Sequence, residues 1–377
     1  MRRDAKVLRA LAVLVTCAMA TAGTFAAEVD ITANITASET WTSNNEYILT
    51  QPIYVTNGAT LTIEPGTVVR GEPSDSGDPN NPNPGTLIIA RGSKLRALGT
   101  VDNPIVFTDL FDDNVHGNPG TDPYDRLENA LGLTGQWGGV ILLGRTYVAN
   151  NTLAGPNAAR EVQIEGLTSV GSLGLYGNGG NDDDDSGTLT YVSIRYGGFN
   201  LAPNNEINGL TLGAVGRQTD IDFVEVMQNK DDGIEFFGGT VNVKHVIAVA
   251  GGDDSIDYDE GYRGKGQFIL LVQGTPGPDK SDKGAEQDGG NNPDGSQPFA
   301  TPAFYNVTMV GLGGDVSETY TAKATNTALH FRDNAAGRYY NSFVADFGGA
   351  PLCIEGGNTG TSQTGPNTSG ERAITTY

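Results

Sequence analysis

The chain has 377 residues, 18% of them charged, and carries a formal net charge of −22 at pH 7. This acidic balance argues against nucleic acid as a partner, and against anionic polymers that bind without a cation, because like charges repel. A chain of this length has room for two globular domains, but its repeated strand patterns favour a single elongated one.

Residues 1–27 are predicted to be a targeting segment. Four basic residues precede an apolar run at 10–20, and Thr24 and Ala26 are small residues at the cleavage-site positions. This order is typical of a secretory signal, and the apolar run is too short to cross a membrane. We therefore expect a bacterial protein that is secreted or held on the outer cell surface, with no membrane span after signal removal; Cys17 leaves a lipoprotein form open.

Short strands separated by polar excursions follow. Residues 28–50 are expected to form the first coil, or to cap an edge that would otherwise pair with other molecules. Residues 58–71 predict two strands around a Pro-Gly turn, and residues 86–95 are expected to repeat that design. Residues 136–144 then return to the core, with Trp137 as a packing residue at a corner of the coil.

The excursions are rich in Gly, Pro, Asp and Asn. Residues 72–85, 109–135 and 145–187 carry no sustained strand pattern, and we expect them to be irregular. The third contains four consecutive aspartates at 182–185. Such a run predicts a solvated loop, with weak calcium binding as an alternative role because hard oxygen ligands are plentiful there.

A strand pattern with an apolar–polar–apolar core recurs from residue 208 onward. It covers 208–212, 232–236 and 254–258, and apolar strands lie between these segments at 221–227 and 241–249. A return to the same pattern every 22–24 residues, with turns and no helical period, predicts a solenoid of parallel strands. The fold class is therefore all-β, a parallel β-helix of roughly ten coils with long loop excursions.

The middle side chain of each strand in this pattern is predicted to point away from the lumen, opposite to Ile234, Ile256 and Leu329. Adjacent strands lie about 4.8 Å apart, and carboxylates at that spacing cannot all stay ionised and unpaired. Either protons are shared, or a cation or a ligand lies between them. The predicted outward column consists of Thr211, Glu235, Asp257, Glu286, His330 and Cys353.

Four phrases of the sequence resemble a family of secreted, repeat-built proteins of environmental bacteria. They begin at Ala59, Gln136, Tyr191 and Asp231, and the last reads Asp-Asp-Gly-Ile-Glu-Phe-Phe-Gly-Gly. The resemblance implies a right-handed parallel β-helix, which we place at residues 28–360, followed by a Gly-, Thr- and Ser-rich tail at 361–377. It implies little about activity.

A narrower resemblance is to the polygalacturonase and pectate-lyase-like β-helix superfamily. Asn229-Lys-Asp-Asp-Gly is followed one coil later by Gly252-Asp-Asp-Ser, and in polygalacturonases acids in such positions carry the chemistry. The family's Gly-His-Gly motif is missing, and Arg263-Gly-Lys comes too early for its Arg-x-Lys. Alternatively, an Asp-Gly turn recurs because each coil needs one. The predicted catalytic residues are Asp232, Glu235, Asp254, Asp257, Glu286 and His330.

The same acidic pairs supply hard oxygen ligands, and they predict a possible calcium site at Asp231, Asp232, Asp253 and Asp254. Two functions stay open: a calcium-assisted binder of polysaccharide or cell-surface glycan, and a polysaccharide lyase or glycoside hydrolase in which two carboxylates act as acid and base. A third interpretation is a polar, solvated face. Cys353 is expected to be a structural thiol, because no His or basic residue lies near it in sequence.

Overall fold

The structure is a computed structural model, and it describes residues 26–74, 82–112, 115, 134–149, 159–165, 167, 171–202, 205–274, 281–290, 296–313, 326–333, 335–354 and 375–376. The predicted targeting segment and tail lie outside these ranges, apart from residues 26–27 and 375–376. No helix within the described ranges is both long enough and apolar enough to span a membrane.

The described residues form short strands joined by turns. In chain order these are β1 (Ala27–Ile31), β2 (Glu39–Trp41), β3 (Asn45–Leu49), β4 (Pro52–Val55), β5 (Thr60–Ile63), β6 (Val68–Gly71), β7 (Thr86–Ile89), β8 (Lys94–Leu98), β9 (Ile105–Asp109), β10 (Val140–Leu143), β11 (Glu161–Gln163), β12 (Leu175–Gly177), β13 (Gly187–Arg195), β14 (Asn200–Ala202), β15 (Asn205–Glu206), β16 (Leu210–Gly213), β17 (Asp220–Met227), β18 (Ile234–Phe237), β19 (Asn242–Val249), β20 (Ile256–Asp259), β21 (Lys265–Val272), β22 (Ala285–Gln287), β23 (Ala303–Val310), β24 (Leu329–Phe331), β25 (Arg338–Tyr340), β26 (Phe343–Ala345), β27 (Leu352–Ile354) and β28 (Thr375–Thr376).

Two parallel sheets wrap around a common lumen. The short sheet has nine strands in the order β4-β7-β10-β16-β18-β20-β22-β24-β27, so each coil adds one strand beside the last. The long sheet has fifteen strands and includes β13, β17, β19, β21 and β23. Strand β13 is long enough to pair with two shorter strands, β8 along its first half and β9 along its second. This architecture confirms the predicted parallel β-helix.

The lumen is filled by apolar side chains from the strands of both sheets. Ile234, Ile256 and Leu329 all lie in this buried cluster, which confirms the predicted inward register. Trp137 is fully buried, and its indole N–H donates to the carbonyl of Arg195 at 2.8 Å. It is therefore a packing residue, as predicted.

One predicted repeat is displaced by a strand. Strand β7 pairs with β4, whereas β8 pairs with β5. The segment 86–95 therefore repeats β4, the turn after it and the start of β5, not the two strands β5 and β6 of segment 58–71. The physical reason is the position of the turn glycine, because Gly92 precedes β8 as Gly58 precedes β5, and both adopt a left-handed φ.

Candidate functional site

The predicted outward column forms on the short sheet. Its members are Cα partners on six successive strands, β16, β18, β20, β22, β24 and β27. In that order they are Thr211, Glu235, Asp257, Glu286, His330 and Cys353. We call this set the ladder column.

Members of the ladder column are buried, and the excursion at 145–187 covers part of the same face. Glu235 and Glu286 are each 8% exposed, and His330 is 6% exposed. On earlier coils the same face is apolar and packs against the 145–187 excursion in a separate hydrophobic cluster. The excursion contains an antiparallel hairpin of β11 and β12, so the expectations of an irregular excursion and of a solvated outer face are both wrong.

Hydrogen bonds fasten this covering layer near the acidic coils. The hydroxyl of Tyr176 donates to the Glu260 carboxylate. The guanidinium of Arg160 donates to the carbonyls of Val148 and Gln297. Burial, and then the Glu260 charge, raise the pKa of Tyr176 well above its ordinary value, so the phenol stays a donor to Glu260.

Cations neutralise the C-terminal end of the column. The Glu286 Oε1 atom lies 3.3 Å from Lys283 Nζ, 3.1 Å from Arg332 Nη1 and 3.1 Å from His330 Nδ1. Burial alone would raise the pKa of Glu286, but the His330 hydrogen bond and the Lys283 and Arg332 charges lower it to about 2. Arg332 also holds Asp288 through two nitrogens at 2.7–2.9 Å, although burial still raises the pKa of Asp288 to about 6.

Asp254, predicted as both an acid and a metal ligand, is held in a corner of the coil. Its carboxylate accepts the backbone N–H of Lys283 at 2.7 Å and lies 3.3 Å from the ammonium of the same residue. The Asp232 carboxylate in turn accepts the backbone N–H of Asp254 at 2.9 Å. Both acids therefore organise the turn that precedes the next strand.

Three predicted acids converge with no ion-paired cation among the residues that the structure describes. Asp232, Glu235 and Asp257 have carboxylate oxygens within 4.8 Å of one another, and we call them the inner triad. Burial first, and neighbouring carboxylates second, raise the pKa of all three. Within the described chain, Asp257 Oδ1, Thr211 Oγ1 and Asn208 Oδ1 are buried with no hydrogen-bond partner, while the Asn208 amide donates to Glu235.

The predicted metal residues split between two groups. Asp231, Asp232 and Asp253 have carboxylate oxygens within 4.8 Å of one another, and Asp253 is exposed. We call these the outer triad; they are three hard oxygen donors that could hold a metal ion. Asp254 converges instead with Asp253 and Asp282.

The four-aspartate run has a different role from the one predicted. Asp182 forms two hydrogen bonds with Arg263, at 2.8 and 3.0 Å, and Asp185 pairs with Lys94 at 2.5 Å. Asp184 is buried. These carboxylates tie the excursion to the coils, so the solvated-loop expectation is wrong and Arg263 is engaged away from the ladder column.

Sequence reasoning missed one cationic neighbour of the site. Lys283 stands immediately before its coil's Gly-Ala pair, where Asp232 and Asp254 stand in the preceding coils, and this alignment could have identified it. Cys353 is the Cα partner of His330, as the predicted column requires, so a histidine lies beside it across the coils although none lies near it in sequence.

The chain matches one family model and is similar to solved structures. A family model described as a pectate-lyase-like beta helix domain matches residues 33–121 and 128–372. Among solved structures, the enzymatically active domain of tailspike protein 2 from bacteriophage CBA120 is similar at 8% identity and a TM-score of 0.30, over 82% of this chain and 42% of that chain. An alginate lyase from Paenibacillus sp. strain FPU-7 is similar at 10% identity and a TM-score of 0.27, over 86% of this chain and 100% of that chain. The chain thus spans less than half of the tailspike domain. A search of curated proteins found no match to the sequence of this chain.

Proposed function

Since this chain belongs to the family of pectate-lyase-like β-helix domains, we propose that it binds a polysaccharide or cell-surface glycan with the help of a calcium ion. The observation that carries the proposal is the convergence of Asp231, Asp232 and Asp253, with their carboxylate oxygens within 4.8 Å and one member exposed. We also propose that the protein acts outside a bacterial cell, because its first 27 residues have the order of a secretory signal.

The charge of the protein explains why a cation is needed. With a net charge of −22, the chain repels an acidic polysaccharide unless positive charge lies between the two. A calcium ion in the outer triad would supply that charge and a place for an oxygen of the sugar. The chain's own residues hold this triad in place, because the Asp232 carboxylate is fixed by the backbone N–H of Asp254 at 2.9 Å.

A second candidate function, cleavage of the polysaccharide, is favoured by the inner triad. Burial and neighbouring charges raise the pKa of Glu235 and Asp257, and a protonated carboxyl beside an ionised one is what acid–base catalysis on a glycosidic bond requires. Asp254 and Glu286 are less suited, because Lys283 pairs with both. His330 remains a candidate base that is hydrogen-bonded to Glu286.

Binding and cleavage are tested on the same polymers. The purified exported chain is mixed with pectic and algal polysaccharides in calcium and, separately, in chelator. We expect retention of acidic polymers in calcium, loss in chelator, and weakened binding in Asp253→Asn. Asp102→Asn, which alters an exposed aspartate at a distant turn, is the matched control.

The outcomes separate the two functions. Release of reducing ends or unsaturated sugars, lost in Glu235→Gln with binding kept, would establish an enzyme. Absence of calcium-dependent binding to every polymer would refute the proposed binder. Recovery of the protein inside the cell rather than in the medium or on the surface would refute the proposed location.

A further inference from the structure

Three Asn-Gly dipeptides occur in the sequence, at Asn57, Asn178 and Asn208. An asparagine that precedes glycine is prone to deamidation, because glycine has no side chain to hinder attack by its own backbone nitrogen on the asparagine amide carbon. By sequence alone the three dipeptides are equivalent. In the structure they differ in exposure, in the hydrogen bonds of the side chain and in those of the attacking nitrogen.

Asn57 lies in an open turn between β4 and β5. Asn57 and Gly58 both adopt a left-handed φ, of 58° and 73°, and the Ala59 N–H donates to the Thr56 carbonyl at 3.0 Å. Asn57 is exposed. Among the residues that the structure describes, neither its side chain nor the Gly58 N–H has a hydrogen-bond partner. A side chain at Gly58 would come no closer than 3.9 Å to the Gly92 carbonyl oxygen, so a ring has room to form there.

Asn178 is also exposed, but it is held more tightly. Its side-chain amide donates to Glu161 Oε1 at 3.1 Å. Gly179 is crowded, because a side chain there would approach the Ala159 Cα atom to 2.9 Å and the Tyr147 ring to 3.0 Å. Ring formation at this dipeptide therefore requires the loss of one hydrogen bond and a shift of neighbouring atoms.

Asn208 is protected by the coils. It is 2% exposed, and its side-chain amide donates to the Glu235 carboxylate. The backbone N–H of Gly209, which contains the nitrogen that would attack, donates to the Asp232 carbonyl at 3.0 Å. Both hydrogen bonds join neighbouring coils, so ring formation requires these coils to separate.

We propose that Asn57 is a site of spontaneous modification, at which asparagine is converted to aspartate and isoaspartate. The Gly58 nitrogen attacks the side-chain carbonyl carbon of Asn57, and the new C–N bond closes a succinimide ring. The bond to the side-chain amide nitrogen breaks, and ammonia leaves with the proton of the Gly58 N–H. Water from the solvent then opens the ring. Attack at the side-chain carbonyl yields aspartate, and attack at the backbone carbonyl yields isoaspartate.

The modification changes the first coils of the β-helix. Either product adds a carboxylate to a cavity of about 430 Å³ that Asn57 lines together with Arg91 and Arg145. Isoaspartate also adds one carbon atom to the backbone of the turn between β4 and β5. Both strands pair with the next coil in a fixed register, so a longer turn disturbs the stacking. We therefore expect the modified protein to melt at a lower temperature.

Ageing of the purified, intact chain in mildly alkaline buffer tests the proposal. The chain is then digested at acidic pH, and each Asn-Gly peptide is followed by mass spectrometry. We expect conversion at Asn178 and Asn208 to be about fivefold and about 30-fold slower than at Asn57, because one and two net hydrogen bonds must open there. The same chain aged in denaturant is the control, in which all three peptides should convert at similar rates.

Two variants connect the modification with stability. Asn57→Gly keeps the left-handed turn and should lose neither amide nor melting temperature on ageing. Asn57→Asp, measured before ageing, carries the new carboxylate on a normal backbone and separates the effect of charge from that of isoaspartate.

Three results would overturn the proposal. The first is an intact Asn57 after the unfolded chain has been converted, and the second is conversion of Asn208 as fast as that of Asn57. The third is an unchanged melting temperature after Asn57 has become isoaspartate, which would refute the effect on the first coils.

Discussion

Replacing Asp257 by Asn should stabilise the protein in chelator. The carboxylate oxygens of the inner triad lie within 4.8 Å of one another, and at an effective dielectric constant of about 20 two charges at that distance repel by about 3.5 kcal/mol. Shared protons offset part of this repulsion, so we expect the neutral, isosteric side chain to gain about 1–3 kcal/mol. With an unfolding entropy of about 2.1 cal/mol/K per residue, that gain raises the melting temperature by roughly 1–4 °C.

The pH dependence of this gain has a definite sign. Burial, and then the charges of Asp288 and Glu286, raise the pKa of Asp257 above its ordinary value of 3.8. A raised carboxyl pKa destabilises the native protein as the pH rises through the interval between the unfolded and the folded values. The advantage of Asp257→Asn should therefore be absent below pH 3.8 and grow with rising pH.

Calorimetric melting at several pH values, in chelator and in calcium, measures the effect. Asp102→Asn serves as the control for removing one negative charge at an exposed site. If Asp257→Asn melts below the wild-type protein in chelator at neutral pH, repulsion within the inner triad is refuted as a cost to the fold. If calcium raises the melting temperatures of the wild-type protein and Asp257→Asn equally, binding of the cation does not depend on Asp257.

Three other substitutions test the packing and ion pairs of the site. Arg332→Met should lower the free energy of unfolding by about 1–3 kcal/mol in a denaturant titration, because it removes the cation beside Asp288 and Glu286. The loss is limited to this range because Arg332 is 35% exposed and solvent screens its charge. A loss no larger than in Arg217→Met would contradict this. Glu286→Gln should weaken the dependence of the unfolding free energy on pH in acid. A carboxyl whose pKa is lowered to about 2 stabilises the native protein above its ordinary pKa of 4.5, and this contribution disappears as the pH falls towards 2. Parallel curves for the variant and the wild-type protein would show that Glu286 gains nothing from its cations. Trp137→Ala should lower the free energy of unfolding by about 3–5 kcal/mol, because it leaves a cavity and removes the hydrogen bond to Arg195. Trp41→Ala removes a buried Trp from the first coils, far from the site, and serves as the comparison.

The ladder register followed from the sequence because it depends only on local rules. Alternation along a strand places Ile234 inside and Glu235 outside, and a return every 22–24 residues sets each strand beside its predecessor. These constraints lie within one coil and its neighbour, so reading the chain in order was sufficient. The same reasoning placed the carboxylates of Glu235 and Asp257 side by side, whereas the approach of Asp232 to them was not predicted.

Burial and charge balance at the ladder column were decided only by the tertiary structure. The excursion at 145–187 packs over part of the short sheet, and its contacts join segments that no local pattern relates, such as Arg160 and Gln297. Lys283 neutralises Glu286 from its own coil and Arg332 does so from the next. No cation of the described residues forms an ion pair with the inner triad, although the Arg332 charge lowers the pKa of Asp257. Local geometry thus fixes which side chains are neighbours, but solvent exclusion and electrostatic energy depend on everything packed around them, and these determine whether a carboxylate is ionised, protonated or ready to hold a cation.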